Sequence, residues 1–340
     1  MGARMSIESY LANCETPRIV PLSSNLHAAQ FRLMKLLPAR FMLDRAEECG
    51  LLSRGSHIVE TSSGTFAMAL AMLSVERGYT LTIVSAPSLM DMSFRQRLTQ
   101  LAASIILVED EGRTGNQAGR LAELHRVLES RPDAFWPRQY DNPDNPAAYS
   151  RLAEILVEKI GRIDCLVGGV GSGGSLCGTS TYLRGLFPAL RTIAVDTNNS
   201  VLFGHEAGPR LLRGLGNSIV PKNLDHALID EVHWVGAFQA FAATHDLYRH
   251  RAMFVGPTSG AAHLVANWYA RCYPEKSVAV ILPDEGYRYQ STVYSDHWLQ
   301  SLGRWPAVRR TAPSKLLHIA PASEDAWTHI EWSQRRLPNS

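Results

Sequence analysis

The sequence predicts an α/β fold in which a largely parallel sheet is covered by helices on both faces. Apolar, β-branched runs alternate with helical patterns along almost the whole chain, as expected for successive βαβ units. The 340 residues suffice for about two domains or for one large α/β domain. A hydrophobic fraction of 45% supplies the apolar side chains that such interiors need.

The predicted strands and helices follow one another with turns between them. Seven runs rich in apolar and β-branched residues are predicted strands: 57–60, 80–84, 104–108, 165–168, 192–196, 231–235 and 277–282. Eight stretches with helical periodicity lie in the gaps: 39–49, 65–77, 92–101, 116–129, 147–160, 175–186, 238–249 and 260–272. The turn-rich segment 141–146 is a candidate crossing between two lobes, and the periodicity fades after residue 304.

The composition excludes several classes of protein. Lysine and arginine number 34 and aspartate and glutamate 32, and the net charge of +2 argues against a nucleic-acid partner or a disordered chain. No apolar run reaches the ~18 residues of a membrane-spanning helix, and residues 1–10 lack the apolar core of a secretory signal. Five scattered cysteines without a C-x-x-C pair argue against disulfides and a thiolate zinc site. We therefore expect a cytoplasmic protein without a membrane segment or a metal.

Lysine is rare in this chain, and one lysine stands out. Of the five, Lys159, Lys222, Lys276 and Lys315 lie in polar settings, whereas Lys35 lies in the apolar segment 31–38. Burial lowers the pKa of a lysine, and the neutral amine is the nucleophile that Schiff-base chemistry requires. The ordinary alternative is a lysine whose stem covers an apolar face while its amine reaches water.

A glycine-rich turn follows the predicted strand 165–168. Residues 168–175 read Gly-Gly-Val-Gly-Ser-Gly-Gly-Ser and begin a helix, so backbone N–H groups there can hold an anion such as a phosphate. Gly169, Gly171 and Gly174 also satisfy the G-x-G-x-x-G pattern of dinucleotide-binding proteins, with Asp196 placed as a ribose-binding acid. On this segment alone, an NAD-dependent dehydrogenase is a credible alternative.

Two further turns carry clusters of small and hydroxyl-bearing residues. Residues 60–66 read Glu-Thr-Ser-Ser-Gly-Thr-Phe and supply four hydroxyls between a strand and a helix, although a helix cap requires only one. Such a loop can present O–H and N–H donors to a carboxylate. Residues 256–262 read Gly-Pro-Thr-Ser-Gly-Ala-Ala and by themselves indicate only a capped helix start.

Taken in order, these segments resemble one enzyme family. Lys35, the hydroxyl loop (residues 62–65), the glycine loop (residues 171–175), the Thr-Ser-Gly-Ala-Ala turn and the Leu-Pro-Asp-Glu-Gly-Tyr-Arg-Tyr segment are similar to the cysteine synthase family of pyridoxal-phosphate enzymes. The resemblance runs from about residue 16 to residue 299. Within the family, four segments look most like the N-(2-amino-2-carboxyethyl)-L-glutamate synthases: 194–196, 200–204, 214–216 and 293–299.

The resemblance implies a fold, a cofactor and a domain organisation. The fold is type II, like the β subunit of tryptophan synthase, with two domains whose largely parallel sheets are covered by helices. Residues 1–36 and 142–300 would form the larger, cofactor-binding domain, residues 37–141 a smaller mobile domain, and residues 301–340 a C-terminal tail. The cofactor would be pyridoxal 5'-phosphate, the substrates small amino acids, and the assembly a homodimer.

The resemblance also implies roles for residues that hold the cofactor. Lys35 would form the internal aldimine, and Ser259 would face the pyridine nitrogen, where a neutral hydroxyl suits β-elimination and replacement. Thr65 stands where the family has an asparagine that contacts the cofactor's 3-oxygen, and Phe66 follows it where a threonine is usual. The cofactor phosphate would lie against Gly171, Ser172, Gly173, Gly174 and Ser175.

The substrate positions follow in the same way. Gln139 would assist the loop that holds the substrate carboxylate, formed by Ser62, Ser63, Gly64 and Thr65. A phosphate leaving group would need a bidentate cation, for which Arg213, before Gly214 in a glycine turn at the active-site mouth, is the first candidate and Arg138 the second.

The implied activity is β-replacement on an O-activated L-serine, either O-phospho-L-serine or O-acetyl-L-serine. Lys35 would remove the α-proton, loss of the β-substituent would give an aminoacrylate, and an amine such as glutamate or a sulfur nucleophile would add. Two alternatives stay open: the dehydrogenase, and an inactive regulatory paralogue, which Thr65 and the altered surroundings of Lys35 suggest.

Overall fold

The computed structural model of the chain describes residues 10–112, 115–212, 214–306 and 309–332. Its strands are β1 (Arg18–Pro21), β2 (Leu26–Gln30), β3 (His57–Thr61), β4 (Thr80–Ser85), β5 (Ala103–Leu107), β6 (Cys165–Gly169), β7 (Arg191–Asp196), β8 (Glu231–Val235), β9 (Val278–Leu282), β10 (Ser314–Lys315) and β11 (Trp327–Glu331). Its helices are α1 (Tyr10–Glu15), α2 (Leu36–Glu48), α3 (Thr65–Arg77), α4 (Met92–Gln100), α5 (Gln117–Ser130), α6 (Asp144–Ala147), α7 (Ser150–Ile160), α8 (Gly174–Leu186), α9 (Ala237–Arg251), α10 (Pro257–Cys272) and α11 (Asp296–Ser301).

The larger of two sheets has the strand order β1-β2-β9-β6-β7-β8-β11-β10. The five strands from β2 to β8 are mutually parallel, whereas β1 pairs antiparallel with β2 and β11 antiparallel with β8. Side chains alternate between the two faces, as β9 shows: Val278 and Val280 enter one core, and Ala279 and Ile281 enter the other. Helices therefore cover both faces, and the carboxyl ends of five parallel strands share one edge, where ligands bind in such sheets.

The smaller sheet is parallel, with the order β3-β4-β5. Its core is formed with α3, of which Phe66, Leu70 and Leu73 are buried, and with α2. Gly78 ends α3 with a φ of 74°, a left-handed conformation that glycine adopts at little cost. The chain leaves the larger sheet after β2 and enters the smaller one at β3, so Lys35 lies at the crossing.

The seven predicted strands are confirmed, and three of the predicted helices begin three residues earlier than expected. The predicted helix 147–160 is divided at Ala148–Tyr149 into α6 and α7, and α6 begins inside the segment expected to be a turn. Helix α10 begins at Pro257 rather than 260, because proline is well suited to a first helical position. Helix α2 begins at Leu36 rather than 39, since Pro38 in a first turn lacks an N–H that would be unpaired there anyway.

The segment after residue 300 contains structure that the periodicity did not predict. Strand β11 pairs with β8 over five residues, and Trp327 and Trp332 are almost completely buried. The sequence around β11 mixes tryptophan and isoleucine with histidine and glutamate, so neither strand nor helix periodicity is apparent. Part of the presumed tail is therefore a strand of the larger sheet.

The short helix α1 also differs from the expected division of the chain. Leu11 and Cys14 pack in the core of the smaller sheet, although the resemblance placed residues 1–36 with the larger domain. The backbone N–H of Leu33 donates to the carbonyl of Cys14 at 3.1 Å, which holds α1 beside the start of α2.

Among the helices in the described ranges, none combines the length and apolarity needed to cross a bilayer.

Candidate active site

A cavity of about 770 Å³ opens where the carboxyl ends of both sheets meet. The turns after β2, β6 and β9, three neighbouring strands of the larger sheet, contribute to its wall, and so does the turn after β3. The cavity brings together most of the site residues expected from the sequence: Lys35, Ser62, Ser63, Gly64, Thr65, Gln139, Gly171, Ser172, Ser175 and Gly214.

Lys35 reaches the glycine loop from the N-terminus of α2. Its Nζ donates to Ser172 Oγ at 3.2 Å, and its side chain lines the cavity. Burial lowers the pKa of Lys35 to about 8, because no carboxylate in the described part of the chain pairs with the ammonium to offset desolvation. Exposed Lys159, by contrast, pairs with Glu158 at 2.7 Å. Lys35 thus carries an amine of lowered pKa beside a candidate anion site.

The glycine loop presents the N-terminus of α8 to the cavity. Gly173 has a φ of 82°, and a Cβ there would lie 2.6 Å from the carbonyl oxygen of Asn223. A Cβ on Gly174 would lie 2.3 Å from Asn145 Oδ1. Both glycines are therefore required by close packing behind the loop, while Gly171, Ser172 and Ser175 face the cavity in front. The first N–H groups of a helix have no intrahelical partner, so this turn can bind an anion.

Ser259 lies in the first turn of α10, next to the cavity-lining Thr258. It is fully buried, and its Oγ has no hydrogen-bond partner among the described residues. A buried hydroxyl without a partner is costly unless a bound group supplies one. The Ser259 hydroxyl is therefore a further candidate contact for a ligand.

Asp196, on which the dehydrogenase alternative depends, does not line the cavity. It is fully buried at the end of β7 beneath Gly216, where a Cβ would lie 3.1 Å from Asp196 Oδ1. Burial raises the pKa of this carboxyl to about 7. An acid in this setting is not placed to bind a ribose hydroxyl in the cavity.

The hydroxyl loop divides its hydroxyls between capping and the cavity. Ser62 Oγ accepts a hydrogen bond from Ala67 N at 3.2 Å and a longer one from Gly64 N at 3.5 Å, so it caps α3. The side chains of Ser63 and Thr65 line the cavity and make no hydrogen bond within the described residues. They are available to a ligand at the N-terminus of α3.

Glu60, which the sequence did not single out for chemistry, ties this loop to the turn that carries Gln139. Its carboxyl accepts from Thr61 N at 2.8 Å, Trp136 Nε1 at 3.2 Å and Gln139 N at 3.2 Å. Gln139 Nε2 in turn donates to the carbonyl of Thr61 at 3.2 Å. Burial nevertheless raises the pKa of Glu60 to about 7. The only sequence signal was an acid at the end of an apolar strand.

Three arginines that the sequence analysis did not assign to the site line the cavity: Arg120, Arg210 and Arg288. Arg120 is almost fully buried, and its guanidinium donates to the carbonyl of Gly115, to Thr61 Oγ1 and to Gln117 Oε1. Arg288 donates to the carbonyl of Ser63. Nothing in the periodicity distinguishes these arginines from the others in the chain.

A buried acid also lines the cavity, in the segment 282–289. Asp284 Oδ2 accepts a hydrogen bond from the Tyr289 hydroxyl at 2.9 Å, and burial raises the pKa of Asp284 to about 6. A Cβ on Gly256 would lie 2.3 Å from Asp284 Oδ1, so the acid packs directly against the turn before α10.

Of the two arginines considered for a phosphate leaving group, the structure describes only Arg138. Arg213 lies outside the described residues. Arg138 is exposed, lies 3.9 Å from Asp141 and does not line the cavity.

Glu231, His233 and His329 form a separate buried cluster where β8 pairs with β11, with their ligand-type atoms within 4.8 Å of one another. Glu231 Oε1 lies 2.9 Å from His233 Nε2 and 2.6 Å from His329 Nδ1, while Arg191 donates to Oε2 at 2.8 Å. Trp327 Nε1 donates to His233 Nδ1 at 3.1 Å, so both nitrogens of His233 have partners. These contacts join β11 to β8 and hold the pKa of Glu231 below its usual range.

The chain is similar to known pyridoxal-phosphate enzymes over most of its length. A family model described as pyridoxal-phosphate dependent enzyme matches residues 32–284. The N-(2-amino-2-carboxyethyl)-L-glutamate synthase of Ralstonia nicotianae is 33% identical over 293 residues, which cover 84% of this chain and 86% of the relative. The cysteine synthase of Helicobacter pylori is 31% identical over 280 residues, covering 80% of this chain and 90% of the relative.

Solved structures show the same likeness. An O-acetylserine-dependent cystathionine β-synthase from Helicobacter pylori matches with a TM-score of 0.78 and 27% identity, covering 86% of this chain and 100% of that chain. The chain thus shares its fold with this solved structure.

Proposed function

The chain belongs to the family of pyridoxal-phosphate-dependent enzymes, and from that premise we propose that it catalyses β-replacement on an O-activated L-serine. The observation that carries the proposal is the contact between Lys35 and the glycine loop, 3.2 Å from Nζ to Ser172 Oγ. A buried amine and a helix N-terminus therefore lie at one end of the same cavity. An aldehyde that bears a phosphate needs both features.

The residues around the cavity fit pyridoxal phosphate. The phosphate would be held by Gly171, Ser172, Gly173, Gly174 and Ser175 at the N-terminus of α8. The Ser259 hydroxyl, which has no partner among the described residues, would contact the pyridine nitrogen, and Thr65 would lie toward the 3-oxygen. When bound, the cofactor supplies an electron sink for the α-carbon of an amino acid.

The donor's carboxylate would bind at the hydroxyl loop. Ser63, Gly64 and Thr65 precede or begin α3, where unpaired N–H groups and the helix dipole favour an anion. Gln139 assists by donating to the carbonyl of Thr61, which fixes the loop's approach to the cavity. The donor would then share the cavity with Lys35, which lines the same wall.

Lys35 would perform the proton transfers. With a pKa of about 8, its amine is neutral in an appreciable fraction near neutral pH once the donor has displaced it, so it can take the α-proton and later return it. The leaving group departs from the β-carbon, and an amine or sulfur nucleophile bonds to that carbon. Relatives named for glutamate-derived and sulfur-derived products support both acceptor classes.

The expected organisation of the molecule accompanies this proposal. Residues 37–141, together with α1, would move as a small domain against residues 16–36 and 142–300, closing the hydroxyl loop over the donor. We further propose that the enzyme is a cytoplasmic homodimer; five cysteines that are all free in the structure support a reducing compartment. Size-exclusion chromatography with light scattering tests the dimer.

The proposed reaction is tested by supplying the cofactor-loaded enzyme with O-acetyl-L-serine or O-phospho-L-serine and, separately, L-glutamate or sulfide. We expect release of acetate or phosphate and a new β-substituted amino acid, neither of which Lys35→Ala produces. Borohydride reduction followed by peptide mapping should label Lys35. A label on Lys35 without turnover of any donor would favour the inactive paralogue, and a label on Lys159 or Lys222 would contradict the site.

A further inference from the structure

Arg288 connects the turn after β9 to the hydroxyl loop across the cavity. It lies in the short turn Gly286–Tyr289, whose backbone belongs to the larger sheet's side of the cavity, and its guanidinium contacts residues that follow β3 of the smaller sheet. The contact therefore links two parts of the chain that are 225 positions apart in sequence.

Its hydrogen bond acts on one peptide group. Arg288 Nη2 donates to the carbonyl oxygen of Ser63 at 2.8 Å. Because a trans peptide is planar, the N–H of Gly64 must then point away from Arg288, and it lies 3.5 Å from Ser62 Oγ. Ser62 Oγ also accepts from Ala67 N, so the orientation of this peptide is coupled to the first turn of α3.

Aromatic rings hold the guanidinium in this position. Its central carbon lies 4.6 Å from the ring centre of Phe94 on α4 and 5.8 Å from that of Tyr289. Within the described residues, Arg288 forms no ion pair with a carboxylate. A planar guanidinium stacks on rings and keeps N–H groups directed in its plane, which a lysine ammonium cannot reproduce.

Gly64 leaves the room that this arrangement needs. A Cβ at this position would lie 3.0 Å from Arg288 Nη1, closer than ordinary contact. A methyl group there would therefore displace the end of the arginine side chain. The position of the Arg288 guanidinium therefore depends on the absence of a side chain at Gly64.

From these contacts we infer that Arg288 is a positioning residue for the amino-acid donor: it fixes the Ser63–Gly64 peptide so that the hydroxyl loop presents its donors to the α-carboxylate. The inference rests on the proposed function, which places that carboxylate at the loop. Arg288 acts through the loop and exchanges no proton with the substrate.

The test uses the cofactor-loaded enzyme and three substitutions: Arg288→Met, Arg288→Lys and Gly64→Ala. Binding is measured by titrating L-alanine, which has the carboxylate and amine of a donor but no leaving group, against the cofactor's visible absorbance. Arg288→Met should raise the Kd of L-alanine by about tenfold or more, as expected for the loss of one charge-assisted hydrogen bond. The KM of the donor should rise in parallel, with kcat at saturation almost unchanged.

Two further measurements separate positioning from a general structural effect. Hydrogen exchange of the backbone amides of residues 62–67 should accelerate in Arg288→Met while the rest of the molecule is unaffected, with partial recovery in Arg288→Lys. Gly64→Ala should add little to Arg288→Met, because both remove the same contact. Arg95→Met, an exposed arginine on α4, is the matched control and should behave as wild type.

The outcomes distinguish this inference from the proposed function. Unchanged exchange at residues 62–67 and an L-alanine Kd within twofold of wild type in Arg288→Met would overturn the role of Arg288, whatever the enzyme catalyses. Full additivity of Gly64→Ala with Arg288→Met would also overturn it. If exchange accelerates but the wild-type enzyme replaces no β-substituent, the positioning role stands and the proposed reaction does not.

Discussion

The burial of Lys35 determines its chemistry as a single residue. Of the lysines named as alternatives, Lys159, Lys222 and Lys315 are exposed, and Lys276 is partly exposed and does not line the cavity. Lys35 lines the cavity and donates to a neutral serine hydroxyl, and no carboxylate of the described residues pairs with it. The same desolvation that lowers its pKa makes its charged form a cost to the folded protein.

That cost predicts a pH-dependent effect of Lys35→Met in the cofactor-free protein. The pKa of Lys35 is about 8 in the folded protein against an ordinary value of 10.5, so the unfolded state binds more protons between these pH values. Wild-type stability should therefore rise with pH across this window. Lys35→Met should be more stable than wild type at pH 7, by up to about 3 kcal/mol, and the difference should shrink toward pH 10.5.

Urea unfolding at pH 7 and pH 10 measures this difference. Lys159→Met, which removes an exposed lysine, is the control and should show the same stability difference from wild type at both pH values. A Lys35→Met advantage that is equally large at pH 7 and pH 10 would show that burial does not disfavour the ammonium.

At the scale of the element, α8 combines a ligand-facing N-terminus with close packing behind it. Three of its glycines differ sharply in their surroundings. A Cβ on Gly174 would lie 2.3 Å from Asn145 Oδ1 and one on Gly178 2.0 Å from the carbonyl oxygen of Pro146, whereas nothing lies within 4 Å of a Cβ on Gly185. Helix propensity alone would favour alanine at all three.

The three alanine substitutions should therefore have different effects on the free energy of unfolding. Gly178→Ala should cost about 1–3 kcal/mol or more, because the backbone of Pro146 cannot yield easily. Gly174→Ala should cost a similar amount and also weaken cofactor binding, since it displaces the glycine loop. Gly185→Ala should stabilise the protein by about 0.4–1 kcal/mol. Equal effects at Gly178 and Gly185 in thermal or urea unfolding would contradict this packing.

At the scale of the whole molecule, the parallel sheets were predictable because their strands are short apolar runs bounded by turns. The strands at the edges of the larger sheet were less predictable from the sequence. Strand β11 reads Trp-Thr-His-Ile-Glu; its buried His329 pairs with Glu231, and its half-exposed Glu331 pairs with Arg191. Such compensation depends on partners about 100 or more positions away and leaves no local pattern.

The candidate site shows the same division. Segments with an unusual local composition, such as the glycine loop and the hydroxyl loop, could be identified from the sequence, and the structure places them around one cavity. Glu60, Arg120 and Arg288 could not, because each is an ordinary charged residue in its own segment. What distinguishes them is a contact with another segment of the chain, such as Glu60 with Gln139, Arg120 with Thr61 and Arg288 with Ser63, which only the tertiary structure creates.

The most direct test of the proposed reaction follows the α-hydrogen of the donor. The enzyme is incubated in D₂O with O-acetyl-L-serine and an acceptor amine or sulfide, and the product is analysed by mass spectrometry and NMR. Proton removal and return by Lys35 predict a product with the acceptor on the β-carbon and one solvent deuterium on the α-carbon. A product whose α-hydrogen comes entirely from the donor, or pyruvate and ammonia with no β-substituted product, would contradict β-replacement by this route.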